Sequence, residues 1–98
     1  MKEHDKKTLE TLTKMLGGEG KIKVLWTLYK NQKTAQTAYM IIKQTGLKRS
    51  GLNKILKNFI EAGIVKKEDY TVKRYRLNLE DERVKELIEF FKKIENII

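Results

Sequence analysis

Thr37-Ala38-Tyr39-Met40-Ile41-Ile42-Lys43-Gln44-Thr45-Gly46-Leu47-Lys48-Arg49-Ser50-Gly51-Leu52-Asn53-Lys54-Ile55-Leu56-Lys57 contains two helical patterns joined by a glycine turn. The first pattern opens at Thr34 or Thr37, either of which can cap a helix, and closes at Gly46. Its inward face is read as Ala38, Tyr39 and Ile42, with Ile41 beside them. The second spans about 49–62, where Leu52, Ile55, Leu56, Phe59 and Ile60 recur at the spacing of one helical face. Gly63 follows, the residue type that most easily takes the left-handed turn ending a helix.

Beyond Gly63, Ile64–Lys67 and Val72–Leu77 read as two short strands around Glu68-Asp69-Tyr70-Thr71, with period-two alternation in the second. Asn78-Leu79-Glu80-Asp81 then reads as a capped start to a helix over about 80–98. Upstream, a helix over Lys21–Lys30 carries Ile22, Leu25, Leu28 and Tyr29 on one side. An earlier helix, about 5–16, carries Leu9, Leu12, Met15 and Leu16 and closes at Gly17-Gly18. The expectation is a mainly α fold with a small β-hairpin: four helices, the hairpin, and a long last helix. Trp26, Tyr29, Tyr39 and Phe59, at helical spacings, are read as core.

Ninety-eight residues suit one domain. The formal charge is +9, from 22 Lys and Arg against 13 Asp and Glu. Its distribution is uneven: residues 1–20 are neutral, 77–98 carry −2, and 21–76 carry +11. A surface charged only for solubility mixes both signs. Segregation of this size points to a polyanion, nucleic acid before membrane.

Several function classes fall away. The chain has no cysteine, which leaves no disulfide, thiolate zinc site or cysteine nucleophile, and its one histidine, His4, lies near the start. No cofactor or metal is expected, and no paired-carboxylate or phosphate-loop signature suggests an enzyme. The longest run of large apolar side chains, Tyr39–Ile42, is far short of a membrane helix, and Met1–Lys7 lacks a signal core. The expected location is cytoplasmic, associated with nucleoid or plasmid. Abundant Ile, Lys and Glu with few Gln is a thermophile-like composition.

The order helix, helix, glycine turn, helix, basic hairpin resembles the winged helix-turn-helix family over about residues 20–78. The likeness rests on the stretch quoted above and on Phe59-Ile60-Glu61-Ala62-Gly63-Ile64-Val65, which leads into the hairpin. With its long last helix the chain is similar to small PadR-like, ArsR-like and archaeal Sso10a-like dimeric DNA-binding members. It is also similar to the small winged-helix site-binding adaptor of archaeal plasmid partition. Two positions depart from the pattern. Lys48 stands where Ser or Thr usually caps the recognition helix, which would move its start to Ser50, and Gly51 stands where Thr or Ala is usual.

The resemblance makes helix 49–62 the recognition element. Its outward residues suit a major groove, with Arg49, Ser50 and Asn53 as base-reading candidates near its start. Lys48, Lys54 and Lys57 are phosphate candidates, which fix register without reading sequence. From the wing come Lys67, Lys73 and Arg74, and from the start of the preceding helix Lys33, Thr34, Gln36 and Thr37.

Val84, Leu87, Phe91, Ile94 and Ile98 follow a 3-4-3-4 spacing, widened by Ile88. Paired with Leu9, Leu12 and Leu16 across a two-fold axis, they would form a homodimer, helices 5–16 and 80–98 supplying the interface. The expected function is double-stranded DNA binding, as a repressor reading an inverted repeat. The alternatives are a DNA-organising protein that spreads along DNA, as in partition or chromatin, and a winged-helix adaptor for a further protein partner.

Overall fold

A computed structural model of the chain describes residues 18–97 together with Lys7. Apart from Lys7, the expected helix 5–16, with Leu9, Leu12 and Leu16, lies outside the described residues, as does Ile98. The described elements are α1 (Glu19–Lys30), β1 (Gln36–Thr37), α2 (Ala38–Thr45), α3 (Arg49–Glu61), β2 (Val65–Glu68), β3 (Arg74–Leu77) and α4 (Glu82–Ile97). The architecture is mainly helical with a small antiparallel sheet.

α1 is the hub. Ile22, Val24, Trp26, Thr27, Leu28 and Tyr29 are all buried, because α2, α3 and β3 pack around the helix. A one-sided stripe therefore understates it: Trp26 is in the core as expected, and Val24, off the face read from the sequence, joins it. The rings of Trp26 and Tyr29 lie 5.2 Å apart, and Phe91 of α4 stands 5.3 Å from each.

Thr37, not Thr34, caps α2: its Oγ1 accepts the Met40 N–H at 3.2 Å. That start sets the phase of the helix. Ile41 and Thr45 point inward, with Ala38 and Ile42 half-buried beside them. Tyr39 is 62% exposed, so the expected inner face is corrected: Tyr39 leaves it and Ile41 takes its centre. Gly46, at φ +74°, turns the chain out of α2. The next helix starts at Arg49 rather than Ser50: Lys48 is extended, and its carbonyl accepts the Leu52 N–H at 3.0 Å without a side-chain cap. Buried Leu52 and half-buried Leu47 anchor this turn against the core. α3 ends in a Schellman turn at Gly63 (φ +78°), where Ile64 N–H donates to Phe59 O and Gly63 N–H to Ile60 O.

The sheet has three strands in the order β1-β3-β2, where a two-stranded hairpin was expected. β1 pairs Gln36 with Tyr75 and Thr37 with Arg74; β2 pairs Val65 with Leu77 and Lys67 with Tyr75. The loop before α2 is thereby tied to the hairpin.

α4 begins at Glu82, capped by Asp81 rather than Asn78. Asp81 Oδ1 accepts the Arg83 N–H at 2.8 Å, and Asn78 instead donates its side-chain amide to Gly63 O at 2.9 Å. Arg83 Nη2 donates both to Asp81 Oδ2 (2.7 Å) and to Ala62 O (2.6 Å), joining the end of α3 to the start of α4. The Arg83 side chain holds the Asp81 carboxyl well below its ordinary value, at about 2. A carboxylate depressed on folding stabilises above its ordinary pKa near 3.8, and that contribution is lost as pH falls toward 2. Asp81→Asn should lower the thermal midpoint at neutral pH and flatten its decline below pH ~4. Melting curves across the acid range check this; parallel wild-type and variant profiles would contradict it.

The apolar face of α4 divides into two stripes. Val84, Ile88 and Phe91 are buried in the chain's own core, and Glu95 on the same side accepts from Tyr29 Oη (2.9 Å) and Lys30 Nζ (2.6 Å). Leu87, Phe90 and Ile94 are only partly buried, and Ile97 is 78% exposed. The expected dimer seam is corrected accordingly. Val84, Ile88 and Phe91 serve intrachain packing, Phe91 against Trp26 and Tyr29 of α1, which leaves Leu87 and Ile94 on the outer stripe.

Candidate nucleic-acid interface

α3 buries Leu52, Leu56 and Phe59 and turns Arg49, Ser50, Asn53, Lys54, Lys57 and Asn58 to solvent. No acidic residue occurs between Lys48 and Ile60. The start of the helix, where the aligned peptide dipoles favour anions, instead carries Lys48 and Arg49. A cation at that end is unfavourable by about 0.3–1 kcal/mol. Helix stability does not explain the placement.

The hairpin stands beside α3. Strand parity puts Lys67 and Tyr75 on the sheet face that carries buried Val65 and Leu77, toward α3, and Lys66, Glu68, Arg74 and Arg76 on the other. Two shallow clefts run between α3 and the hairpin. One, about 510 Å³, is bordered by Thr37, Tyr39, Arg49, Asn53, Val72, Lys73 and Tyr75. The other, about 410 Å³, is bordered by Asn53, Lys57, Glu61, Lys67, Lys73 and Tyr75. Asn53, Lys73 and Tyr75 belong to both, so the clefts form one trough with Arg49 at one end and Lys57 and Lys67 toward the other.

The trough gathers Arg49, Asn53, Lys57, Lys67, Lys73 and Thr37 from the expected set. Lys48, Ser50 and Lys54 are exposed on α3 or at its start but border neither cleft. Lys33 and Thr34 are exposed in the loop after α1. Gln36, expected to face a phosphate, is 6% exposed; it pairs in β1 and its amide donates to Thr34 O at 3.0 Å. Burial by β3 and α2 removes it from the surface. Arg74 lies on the sheet face away from Lys67 and donates to Ala35 O at 3.4 Å. On that far face Arg76 meets Glu68 at 3.0 Å and Lys66 meets Glu80 at 3.7 Å. Among the described residues, Arg49, Lys57 and Lys73 make no ion pair, and Lys67 stands 3.8 Å from Asp69.

Sequence reasoning missed Tyr39, Val72 and Tyr75 as trough residues. The apolar neighbours of Tyr39 suggest a core position, whereas the Thr37 cap fixes it outward. Among the described residues no helix is long and apolar enough to cross a membrane.

Comparison of the sequence with models of known protein families and with curated proteins finds no match.

Proposed function

We propose that the chain is a winged helix-turn-helix protein that binds double-stranded DNA as a homodimer, acting as a regulator on an inverted repeat. In this reading α2 and α3 form the helix-turn-helix, α3 enters the major groove, and the β2–β3 hairpin is the wing. The observation that carries it is the trough: a cationic helix start with Arg49 and Asn53, continued by Lys57, Lys67 and Lys73, bordered by one acid, Glu61. Arg49 and Asn53 are the side chains suited to base edges, Arg to guanine and Asn to adenine. Lys57, Lys67 and Lys73 suit phosphates. Arg74 and Gln36 drop out of the contact set.

The outer stripe of α4, Leu87, Phe90, Ile94 and Ile97, supports pairing of two copies, since it keeps 3-4-3 spacing after the inner stripe has packed on the core. A two-fold pair would present its α3 helices about one DNA turn apart, roughly 34 Å.

Lys67→Ala with Lys73→Ala should weaken binding to all duplexes alike. It should also reduce the slope of log affinity against log salt by about 0.9 per cation. Binding isotherms across a salt series measure this, and an unaltered slope would place the hairpin off the backbone. Footprinting decides the role. A fixed pair of protected half-sites marks a regulator, and protection that lengthens with dose marks a protein that spreads along DNA.

A further inference from the structure

A trough built only to hold phosphates would be polar throughout, yet this one has an apolar wall. Tyr39 is 62% and Val72 56% exposed, and both border the same cleft as Arg49 and Asn53. Met40 on α2 and Tyr70 on the hairpin loop add further exposed large apolar side chains in the same two segments. Isolated surface apolar groups are ordinary, but two in one cleft beside the base-reading candidates are not scattered. Lys43 Nζ stands 5.6 Å from the Tyr39 ring centroid, a cation–π contact that holds the exposed ring in place.

On the floor of a major groove, the groups presented by bases are hydrogen-bond donors and acceptors, with one exception. The C5-methyl of thymine is apolar, and 5-methylcytosine carries the same group. We propose that the Tyr39–Val72 wall receives a pyrimidine C5-methyl group, making these two residues specificity determinants beside Arg49 and Asn53. The inference rests on the DNA-binding reading and goes beyond it by naming the chemical group recognised. Hydrogen-bonding side chains alone would leave the methyl unrecognised; an apolar wall gains when water leaves both surfaces.

The test changes the DNA first and then the protein. A duplex site is first selected from a random pool by the wild-type chain. Each thymine is then replaced singly by deoxyuridine, and each cytosine by 5-methylcytosine. Loss of one buried methyl is expected to weaken binding about four-fold at one or two thymines. A gain of similar size at a methylated cytosine would assign the wall to that base instead. Tyr39→Ser and Val72→Ser, both at exposed positions, should bind the thymine and uracil duplexes equally. Equal wild-type binding to every methylated and unmethylated pair would overturn the proposal and leave DNA binding intact. So would a four-fold difference that survives in both variants. Failure to bind any duplex would overturn both readings.

Discussion

Phe91→Ala is expected to remove about 3–5 kcal/mol of folding stability, among the largest effects expected of a single truncation in the core. Phe91 is 1% exposed and its ring touches both Trp26 and Tyr29, so alanine would leave a cavity between α4 and the hub helix that neither ring can fill by a simple rotation. Against a typical margin of about 5–15 kcal/mol, that is enough to unfold a large fraction of the protein under mild denaturant. Urea titration measures it, as a shifted midpoint with an unchanged slope. The loss should be the same at every protein concentration, because the contact lies within one chain. Weaker self-association of the folded variant than of the wild type, measured by sedimentation, would return Phe91 to an interface between copies. Leu87 on the outer stripe is the natural contrast.

Arg49→Ala is expected to have the opposite signature. Losing the proposed bidentate base contact should weaken the selected site by about 1–3 kcal/mol, roughly five- to 150-fold, and so collapse most of the preference over random duplex. Folding should not suffer. Arg49 is exposed, and taking a cation from the positive end of α3 is favourable by about 0.3–1 kcal/mol. A higher melting temperature together with poorer discrimination would identify a residue kept for binding at the expense of the helix. Competition binding and thermal melts on the same preparation measure the pair. Unchanged discrimination would remove Arg49 from the base-reading set.

The helices were legible because their boundaries are local. Gly46 and Gly63 end two of them by turns that need left-handed backbone, and the Leu52, Leu56 and Phe59 spacing orients α3 correctly. What escaped depends on contacts distant in sequence. β1 is two residues long and polar, and it exists only because β3, almost forty residues away, pairs with it. The phase of α2 was ambiguous because Ala38 through Ile42 is apolar throughout, so no hydrophobic periodicity exists to read. Only the Thr37 cap, decided by β1, settles it. The two stripes of α4 are inseparable in the sequence for a related reason. Its heptad spacing is real, but two helical stripes share it, and Trp26 determines which of them turns inward.

The site followed the same division. The charge excess in residues 21–76 was visible at once, as was the basic outer face of α3. Strand parity divides the basic residues of the hairpin between two faces, a division that depends on where the strands begin. With β3 starting at Arg74 and Lys67 opposite Tyr75, Arg74 falls on the far face. The same register brings Tyr75 to the trough, a residue that charge counting cannot detect.

Amide chemical-shift mapping with an unlabelled duplex, on the isotope-labelled full chain at low salt, is the sharpest check that the trough is the DNA-facing surface. The largest changes are expected at Arg49–Lys57 and across Lys67–Tyr75, with the inner stripe of α4 nearly still. Absence of change on adding DNA, or changes confined to α4, would contradict that assignment.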